Sequence, residues 1–417
     1  MCRKPEGYRG EGSLRAYLFG VARFVLIGWA RRLQRARVRL RAAVEALVAD
    51  PGLRDRGLRG LESCMQSIRV QIAVKELLRT DPAAERRFTL EAAITARLQH
   101  PGIRGRGHSN DDPLACGHGS VARMSEPRTI VVTGGGRGLG RATAEKLARA
   151  GHHVVLTARD RARGEQALAQ IRGAAPGCRV ELRSLDLAAL ASVRAFAAQL
   201  LADGLVVDVL LHNAGVMQQS PTRRVTVDGF EETLATNTLA PFLLTRALLP
   251  ALERSEAARV VCVSSMLHMP GSRGEPVRFD FDDPQVQREY HPDRAYKNSK
   301  LALLWWTYEL QRRLPPRRIT ANAVCPGFVP VTAAQSVRGP MRWFMRHVLA
   351  HMPFARSVEQ AASSLAWMAT DPSLEGVGGK YFSDCVEQRS SEDSRDPALA
   401  ARFWALACAL VGVPEGL

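Results

Sequence analysis

The stretch Arg128–Gly140, RTIVVTGGGRGLG, decides the fold of this 417-residue chain. Residues Thr129 to Val132 form a short apolar and β-branched run that is typical of a buried strand, and glycines follow at once. From Arg141 onward, apolar and small residues recur at helical spacing as far as Gly151. A glycine-rich turn between a strand and a helix offers open backbone N–H groups and the positive end of the helix dipole to a phosphate. The stretch therefore predicts a nucleotide-binding turn.

The spacing of Gly134, Gly138 and Gly140 distinguishes this turn from two commoner phosphate-binding motifs. It reads G-x-x-x-G-x-G rather than G-x-G-x-x-G, and no Lys-Ser or Lys-Thr follows the last glycine as in a Walker A motif. Arg137 and Leu139 lie between the glycines and complete the predicted cofactor turn. By itself the motif is also compatible with a flexible glycine turn that binds nothing.

Downstream of this turn, strand-like and helix-like segments alternate. Strands are predicted at 153–158, 180–185, 206–211, 259–264 and 320–324. Helices are predicted at 161–172, 190–202, 229–251 and 294–313, with a closing helix at 398–411. Such alternation is typical of a parallel, doubly wound sheet with helices on both faces, in which ligands bind at the carboxyl ends of the strands. We therefore predict an α/β, Rossmann-like domain over residues 124–417.

Residues at the predicted strand ends are suited to a dinucleotide. Arg159 follows the second strand, where an NAD-selective protein usually has an acid for the ribose 2′-hydroxyl; a guanidinium there suits a 2′-phosphate instead. Arg137 could add a second donor, so we predict NADP(H) as the cofactor, although either arginine could be an ordinary surface residue. Further cofactor contacts are predicted from Asp186, Leu187, Asn213, Ala214 and Gly215.

Tyr296 and Lys300 lie four residues apart on a predicted helix and therefore share one face. A lysine ammonium beside a phenol favours the phenolate and lowers the tyrosine pKa toward working pH, as a general acid–base requires. Ser265, at the end of the fifth strand, could offer its hydroxyl to a substrate carbonyl or could be a simple turn residue. Asn237, a polar residue in an apolar helical pattern, could bend the helix, cap it or anchor a water.

These motifs occur in a family-specific order. TGGGRGLG, the NAG tripeptide 213–215, Asn237, Ser265, Y-x-x-x-K and CPG at 325–327 together resemble the short-chain dehydrogenase/reductase family over about residues 128–390. The chain is most similar to the retinol-dehydrogenase and protochlorophyllide-reductase-like branch, because of TARD at 157–160, the insertion before Tyr296 and the GGKYFSDCVEQRSSEDS stretch near the end.

The resemblance implies a set of roles. Tyr296 would donate or accept the proton, Lys300 would lower its pKa and hold the nicotinamide ribose, Ser265 would orient the carbonyl, and Asn237 would support a proton-relay water. Hydride would pass between the nicotinamide and a carbonyl carbon without a metal, in a dimer or tetramer. Cofactor contacts would extend to Pro326, Gly327 and Thr332.

Two departures from the family pattern concern spacing. Ser265 and Tyr296 lie 31 positions apart, wider than in most of the family, so that Tyr290 competes for the catalytic position. We reject Tyr290 because Arg294, not a lysine, follows it by four residues. Thr332 also lies further from Pro326-Gly327 than in much of the family, which loosens its expected contact with the nicotinamide carboxamide.

The N-terminal third carries most of the basic charge. Residues 1–124 hold 23 Lys and Arg against 12 Asp and Glu, or +11 of the total +17. Residues 7–48 resemble part of region 2 of a bacterial extracytoplasmic-type sigma factor. Residues 70–103 resemble the third strand and following helix of a bacterial Ser/Thr kinase. We infer no kinase activity, because no glycine-rich loop precedes this fragment and neither H-R-D nor D-F-G follows it.

We therefore predict a basic, largely helical or disordered extension over 1–123, with 104–123 as a linker and Met124 as a candidate functional start. The alternatives to an enzyme are a transcription-linked binding protein acting through this extension, or an NADP sensor without turnover. Deleting 1–123 separates the first alternative from the enzyme, which would keep its turnover.

Other features bear on location and substrate. The eight cysteines are scattered without zinc or disulfide-scaffold spacing, and the apolar stretch 17–30 is too short to span a bilayer. We predict a cytoplasmic, bacterial protein with no membrane span and no nucleic-acid partner. The apolar segment 333–355 is a candidate lid over a hydrophobic small-molecule substrate, or an ordinary packing helix.

Overall fold

The structure is a computed structural model that describes residues 126–270, 276–315, 318–334 and 355–417, together with Trp343, Met345, His347 and Ala350. The predicted N-terminal extension, with its sigma-like and kinase-like fragments, and Met124 lie outside the described residues. Most of the candidate lid, 333–355, lies outside them as well.

The described chain forms an eight-stranded sheet in the order β3-β2-β1-β4-β5-β6-β7-β8. All pairings are parallel except that of β8, which runs antiparallel to β7. The chain order reverses between β1 and β4, so the carboxyl ends of these two strands flank the crevice where such sheets bind ligands. The strands are β1 Thr129–Val132, β2 His153–Ala158, β3 Val180–Ser184, β4 Val209–His212, β5 Ala258–Val263, β6 Ile319–Cys325, β7 Tyr381–Ser383 and β8 Val386–Gln388.

Helices cover both faces of the sheet, which confirms the predicted doubly wound α/β fold. They are α1 Gly138–Arg149, α2 Arg161–Ala174, α3 Leu190–Ala202, α4 Ala240–Leu252, α5 Pro292–Arg313, α6 Pro330–Ala333, α7 Val358–Thr370 and α8 Pro397–Val411. A helical turn at Glu232–Leu234 and a π-helical turn at Ala235–Leu239 lead into α4. Among the residues described, no helix combines the length and apolar character needed to cross a membrane.

The strands are buried on both sides because their side chains alternate between two apolar cores. Val131 of β1 packs in the core beneath α3, α4, α5 and α8. Its neighbours Ile130 and Val132 pack in the opposite core beneath α1, α2 and α7. Helix α5 is fixed by aromatic residues on the first side: Trp306 meets Phe242 edge-on at 6.0 Å between ring centroids.

The structure differs from the predictions in three places. Strands β7 and β8, with three residues each, were not predicted because their runs are too short to show a period. The long predicted helix 229–251 begins three residues later and contains the π-helical turn. Cys385 is disulfide-bonded, whereas the cysteine spacing gives no sign of a disulfide.

Candidate active site

The glycine turn joins β1 to the N-terminus of α1 and packs against the chain after β4. Gly134 and Gly138 have φ of +68° and +56°, in the left-handed region that favours glycine. A Cβ on Gly140 would lie 2.4 Å from Asn213 Nδ2 and 2.5 Å from the carbonyl oxygen of Gly134. The turn therefore has the bare backbone that close approach of a pyrophosphate requires.

Replacing Gly140 with alanine should disrupt this turn, because the new Cβ would meet the Gly134 backbone, which cannot move like a side chain. We expect a lower melting temperature and loss of dinucleotide binding by at least about tenfold. Gly173→Ala is the matched control, since nothing lies within 4 Å of its Cβ position in α2. Thermal unfolding and cofactor titration of both variants test this; equal binding by the two would contradict the proposed cradle.

Thr133 ties the NAG segment to the end of β1, a role that the sequence analysis missed. Its hydroxyl accepts hydrogen bonds from the backbone N–H groups of Asn213, at 3.0 Å, and Ala214, at 3.1 Å. In return, Asn213 Nδ2 donates to the Thr133 carbonyl at 2.9 Å. The position of this threonine, directly before the first glycine, is the signal that could have identified it.

Asn237 lies in the π-helical turn and connects the NAG segment to α5. Its Oδ1 accepts from the Val216 N–H at 2.7 Å, while its Nδ2 donates to the Val216 carbonyl at 2.9 Å and to Ser299 Oγ at 3.1 Å. The side chain is almost fully buried. The structure shows a role that the sequence analysis did not consider: Asn237 links two segments of the site at an irregular point of the helix.

Tyr296 and Lys300 share one face of the first turns of α5, and Lys300 Nζ lies 5.7 Å from the centroid of the Tyr296 ring. The same ammonium donates to the Val263 carbonyl at the end of β5, at 2.8 Å. A Cβ on Gly215 would lie 3.6 Å from Lys300 Nζ and 3.4 Å from Asn237 Oδ1. The helix therefore brings both predicted side chains to the carboxyl edge of the sheet, beside the NAG segment.

Burial dominates the electrostatics of this pair. It raises the pKa of Tyr296 to about 12, opposed by a hydrogen bond from the Ser265 hydroxyl. It lowers the pKa of Lys300 to about 8. The Tyr296 pKa is therefore raised, not lowered as expected from the neighbouring Lys300, because loss of solvation outweighs the other influences on the phenol. The Lys300 ammonium donates its hydrogen bond to the Val263 carbonyl.

The competing Tyr290 forms its hydrogen bond with a carboxylate outside the Ser265–Tyr296–Lys300 group. Its hydroxyl donates to Glu231 Oε1 at 3.4 Å, before the π-helical turn. Burial and the Glu231 carboxylate raise the pKa of Tyr290 to about 12. Tyr296, by contrast, contacts Ser265, so the 31-residue separation is bridged for that tyrosine.

The predicted cofactor residues at the ends of β2 and β3 differ in exposure. Arg137 and Arg159 are exposed, and among the described residues neither guanidinium has an ion pair or hydrogen bond. Asp186 accepts the Ala188 N–H at 3.0 Å through Oδ1. The Leu187 side chain packs in the core, so its only groups available to a ligand are those of its backbone.

The segment after β6 forms the other rim of the crevice. Pro326 precedes Gly327, which has a φ of +77°, and a Cβ there would lie 2.9 Å from Arg356 Cγ. Thr332 lies in α6, and its buried hydroxyl has no hydrogen-bond partner among the described residues. The buried Ser264 hydroxyl likewise has none. Orphaned hydroxyls after β5 and after β6, at the same carboxyl edge of the sheet as the glycine turn, fit a dinucleotide that would supply their partners.

The sequence and the fold are similar to those of known proteins. The family model described as short chain dehydrogenase matches residues 128–277. Human retinol dehydrogenase 14 is 36% identical over 299 residues, covering 69% of this chain and 87% of its own. Mouse polyprenol dehydrogenase is 40% identical over 295 residues, covering 69% and 85%. The crystal structure of an uncharacterised protein from Mycobacterium paratuberculosis is similar at a TM-score of 0.54 and 34% identity, covering 70% of this chain and 95% of that one.

Proposed function

The chain belongs to the short-chain dehydrogenase family, in its retinol-dehydrogenase-like branch, and on that premise we propose that Tyr296, Ser265 and Lys300 carry out its chemistry with NADP(H). Membership makes it an oxidoreductase that interconverts an alcohol and a carbonyl. The observation that carries the residue assignment is that the Ser265 hydroxyl lies close enough to the Tyr296 phenol to lower its pKa, with Lys300 Nζ 5.7 Å from the centroid of the phenol ring, at the edge of the sheet that holds the glycine cradle.

In this proposal, Tyr296 holds the proton that moves to the substrate oxygen. With a pKa near 12, the phenol is protonated at neutral pH, the form that carbonyl reduction needs. The Ser265 hydroxyl orients the same oxygen by a second hydrogen bond. Lys300, whose Nζ lies 5.7 Å from the centroid of the Tyr296 ring, is charged at neutral pH and offsets part of the cost that burial imposes on the phenolate left by proton donation. NADP(H), when bound along the glycine turn and residues 213–215, supplies or accepts the hydride.

Asn237 supports the reaction indirectly, by positioning the residues that flank the reacting groups. Its three hydrogen bonds fix Val216 and Ser299 relative to each other, and Ser299 directly precedes Lys300. The amide therefore sets the position of the helix turn that bears the reacting groups.

The preference for NADP(H) rests on Arg159 and, secondarily, on Arg137. Arg159 directly follows Ala158, whose Cβ lies 3.4 Å from the Cβ position of Gly136 in the glycine turn. An exposed guanidinium with no carboxylate partner in the described part of the chain can bind a 2′-phosphate in a bidentate manner.

We expect Arg159→Asp to weaken NADPH binding by about 10- to 100-fold, the value of one or two charge-assisted hydrogen bonds, while NADH binding is unchanged or improved. Arg161→Asp is the control: Arg161 is two residues further on, is also exposed, and pairs with Glu165 at 3.6 Å. Calorimetric titration with both cofactors measures the change. Equal losses in the two variants would mean that general surface charge, not a specific contact, sets the preference.

We propose a hydrophobic, isoprenoid-type alcohol and aldehyde pair as the substrate. The relatives compared above are named for retinol and polyprenol, which are both isoprenoid alcohols with an allylic hydroxyl. The test is a panel of aldehydes assayed with NADPH, in which α,β-unsaturated isoprenoid aldehydes are compared with short saturated ones. The proposal predicts higher kcat/KM for the isoprenoids, and equal or higher values for the short saturated aldehydes would contradict it.

A further inference from the structure

His268 closes the short turn that follows Ser265. Ser265 caps the 3-10 turn Met266–His268, and its hydroxyl accepts the Leu267 N–H at 3.3 Å. The imidazole Nδ1 of His268 lies 2.5 Å from the carbonyl oxygen of Ser265, which also accepts the His268 backbone N–H at 3.4 Å. Because a carbonyl oxygen can only accept, Nδ1 must carry the proton.

The imidazole is neutral, and of its two ring nitrogens only Nδ1 has a hydrogen-bond partner among the described residues. The residue is 1% exposed, and burial lowers the pKa of its ring to about 4. With the proton on Nδ1, Nε2 is a buried acceptor, and it has no partner among the described residues. Burying an unpaired acceptor destabilises the folded protein, and an aliphatic residue here would avoid that cost. What the imidazole adds over an aliphatic residue is its donor to Ser265.

The His268 ring also packs against an aromatic side chain. His268 meets Tyr381 of β7 at 5.0 Å between centroids with the planes at 68°. The Tyr381 hydroxyl lies close enough to the Cys325 thiol, at the end of β6, to influence its pKa, and that thiol in turn influences the pKa of Tyr296. The imidazole therefore lies between the Ser265 carbonyl, to which it donates, and the Tyr381 ring, which it meets edge-on.

We propose that His268 is a positioning residue, which holds the Ser265 carbonyl and so fixes the direction of the Ser265 hydroxyl toward Tyr296. The inference rests on the proposed function of these two residues. The carbonyl is on the backbone of Ser265 and the hydroxyl on its side chain, so the hydrogen bond from His268 restricts ψ of Ser265 and holds the turn whose Leu267 N–H donates to the hydroxyl. The extended backbone of Ser265, with φ of −152° and ψ of 152°, is set by this turn.

The test uses two variants of equal shape. In His268→Asn, the amide nitrogen can donate to the Ser265 carbonyl as Nδ1 does, whereas His268→Leu fills the same volume without a donor. We expect His268→Leu to lower kcat by about 10- to 100-fold, the usual effect of losing a partner that orients a reacting group. KM for NADPH should stay unchanged, and His268→Asn should restore most of kcat.

The outcomes separate the possible failures. If His268 only fills space, the leucine variant will keep a kcat at least equal to that of the asparagine variant, which overturns the proposal. If the unchanged protein has no turnover, or Tyr296→Phe keeps it, the proposed function fails instead.

A measurement on the unchanged protein covers the case in which the leucine variant does not fold. Nitrogen-15 NMR of the His268 ring reports its tautomer. The proposal requires a proton on Nδ1 at about pH 7. A ring protonated on Nε2 alone would overturn it, because Nδ1 could then not donate to the Ser265 carbonyl.

Discussion

Replacing Tyr296 with phenylalanine is expected to lower kcat by about 10³-fold or more, within the range that a positioned acid–base contributes. The variant removes a single oxygen, the one that the Ser265 hydroxyl contacts, and leaves the ring near Lys300 Nζ in place. Cofactor affinity should change little, because the glycine turn and residues 213–215 are untouched. Steady-state kinetics and calorimetric titration of the same preparation measure the two effects separately.

Tyr290→Phe is the matched control for this experiment. It removes the same atom from a half-buried tyrosine in the insertion that precedes α5, one whose hydroxyl bonds Glu231. We expect kcat within about threefold of the unchanged protein, as for a side chain outside the reacting centre. A large loss in Tyr290→Phe together with a small loss in Tyr296→Phe would reverse our choice between the two tyrosines.

Lys300→Met should lower kcat/KM by about 10²- to 10⁴-fold while leaving the fold intact or more stable. Lys300 is 4% exposed and burial lowers its pKa to about 8, so its charged form is disfavoured by the folded protein. Removing a charge that the fold tolerates poorly should raise the melting temperature or leave it unchanged, although the hydrogen bond to Val263 is lost.

The control is Lys297→Met, one turn away on α5, where the side chain is only partly buried. It should leave both activity and melting temperature nearly unchanged. An active Lys300→Met enzyme would show that the charge is not needed for proton transfer. A strongly destabilised Lys300→Met variant would show that the lysine is retained for the fold instead.

The central part of the fold could be predicted because its elements are long and strongly patterned. The strand His153–Ala158 and the helix Leu190–Ala202 have the predicted bounds. Each combines a clear apolar period with distinct turn residues at its ends. Strands β7 and β8 could not be predicted, since three residues show no alternation and their pairing depends on β6, which lies more than 50 positions earlier.

The site was predictable to the extent that its residues carry local motifs. The glycine spacing and the separation of Tyr296 and Lys300 are properties of adjacent residues, so the sequence alone brings those groups together. The effect of burial on the two pKa values is not local, because it depends on how much protein surrounds the groups. The expectation that Lys300 would lower the Tyr296 pKa came from proximity alone and left burial out.

Thr133 and His268 show a second limit. Thr133 acts on Asn213, 80 positions away, and this contact becomes visible only when β1 and β4 are neighbours. His268 is a single histidine after a strand, and in a sequence it cannot be distinguished from a buried histidine without a role. In both cases the chemistry depends on which backbone groups the fold places within hydrogen-bond distance.

Isotope labelling follows the proposed hydride transfer between NADP(H) and a carbonyl, and shows whether that transfer depends on Tyr296. The full chain would be incubated with C4-deuterated NADPH and an isoprenoid aldehyde, in parallel with Tyr296→Phe, and the product analysed by mass spectrometry. We predict deuterium on the carbinol carbon of the alcohol from the unchanged protein and almost none from the variant. Equal labelling by both proteins, or no labelled alcohol from any aldehyde of the panel, would contradict the account.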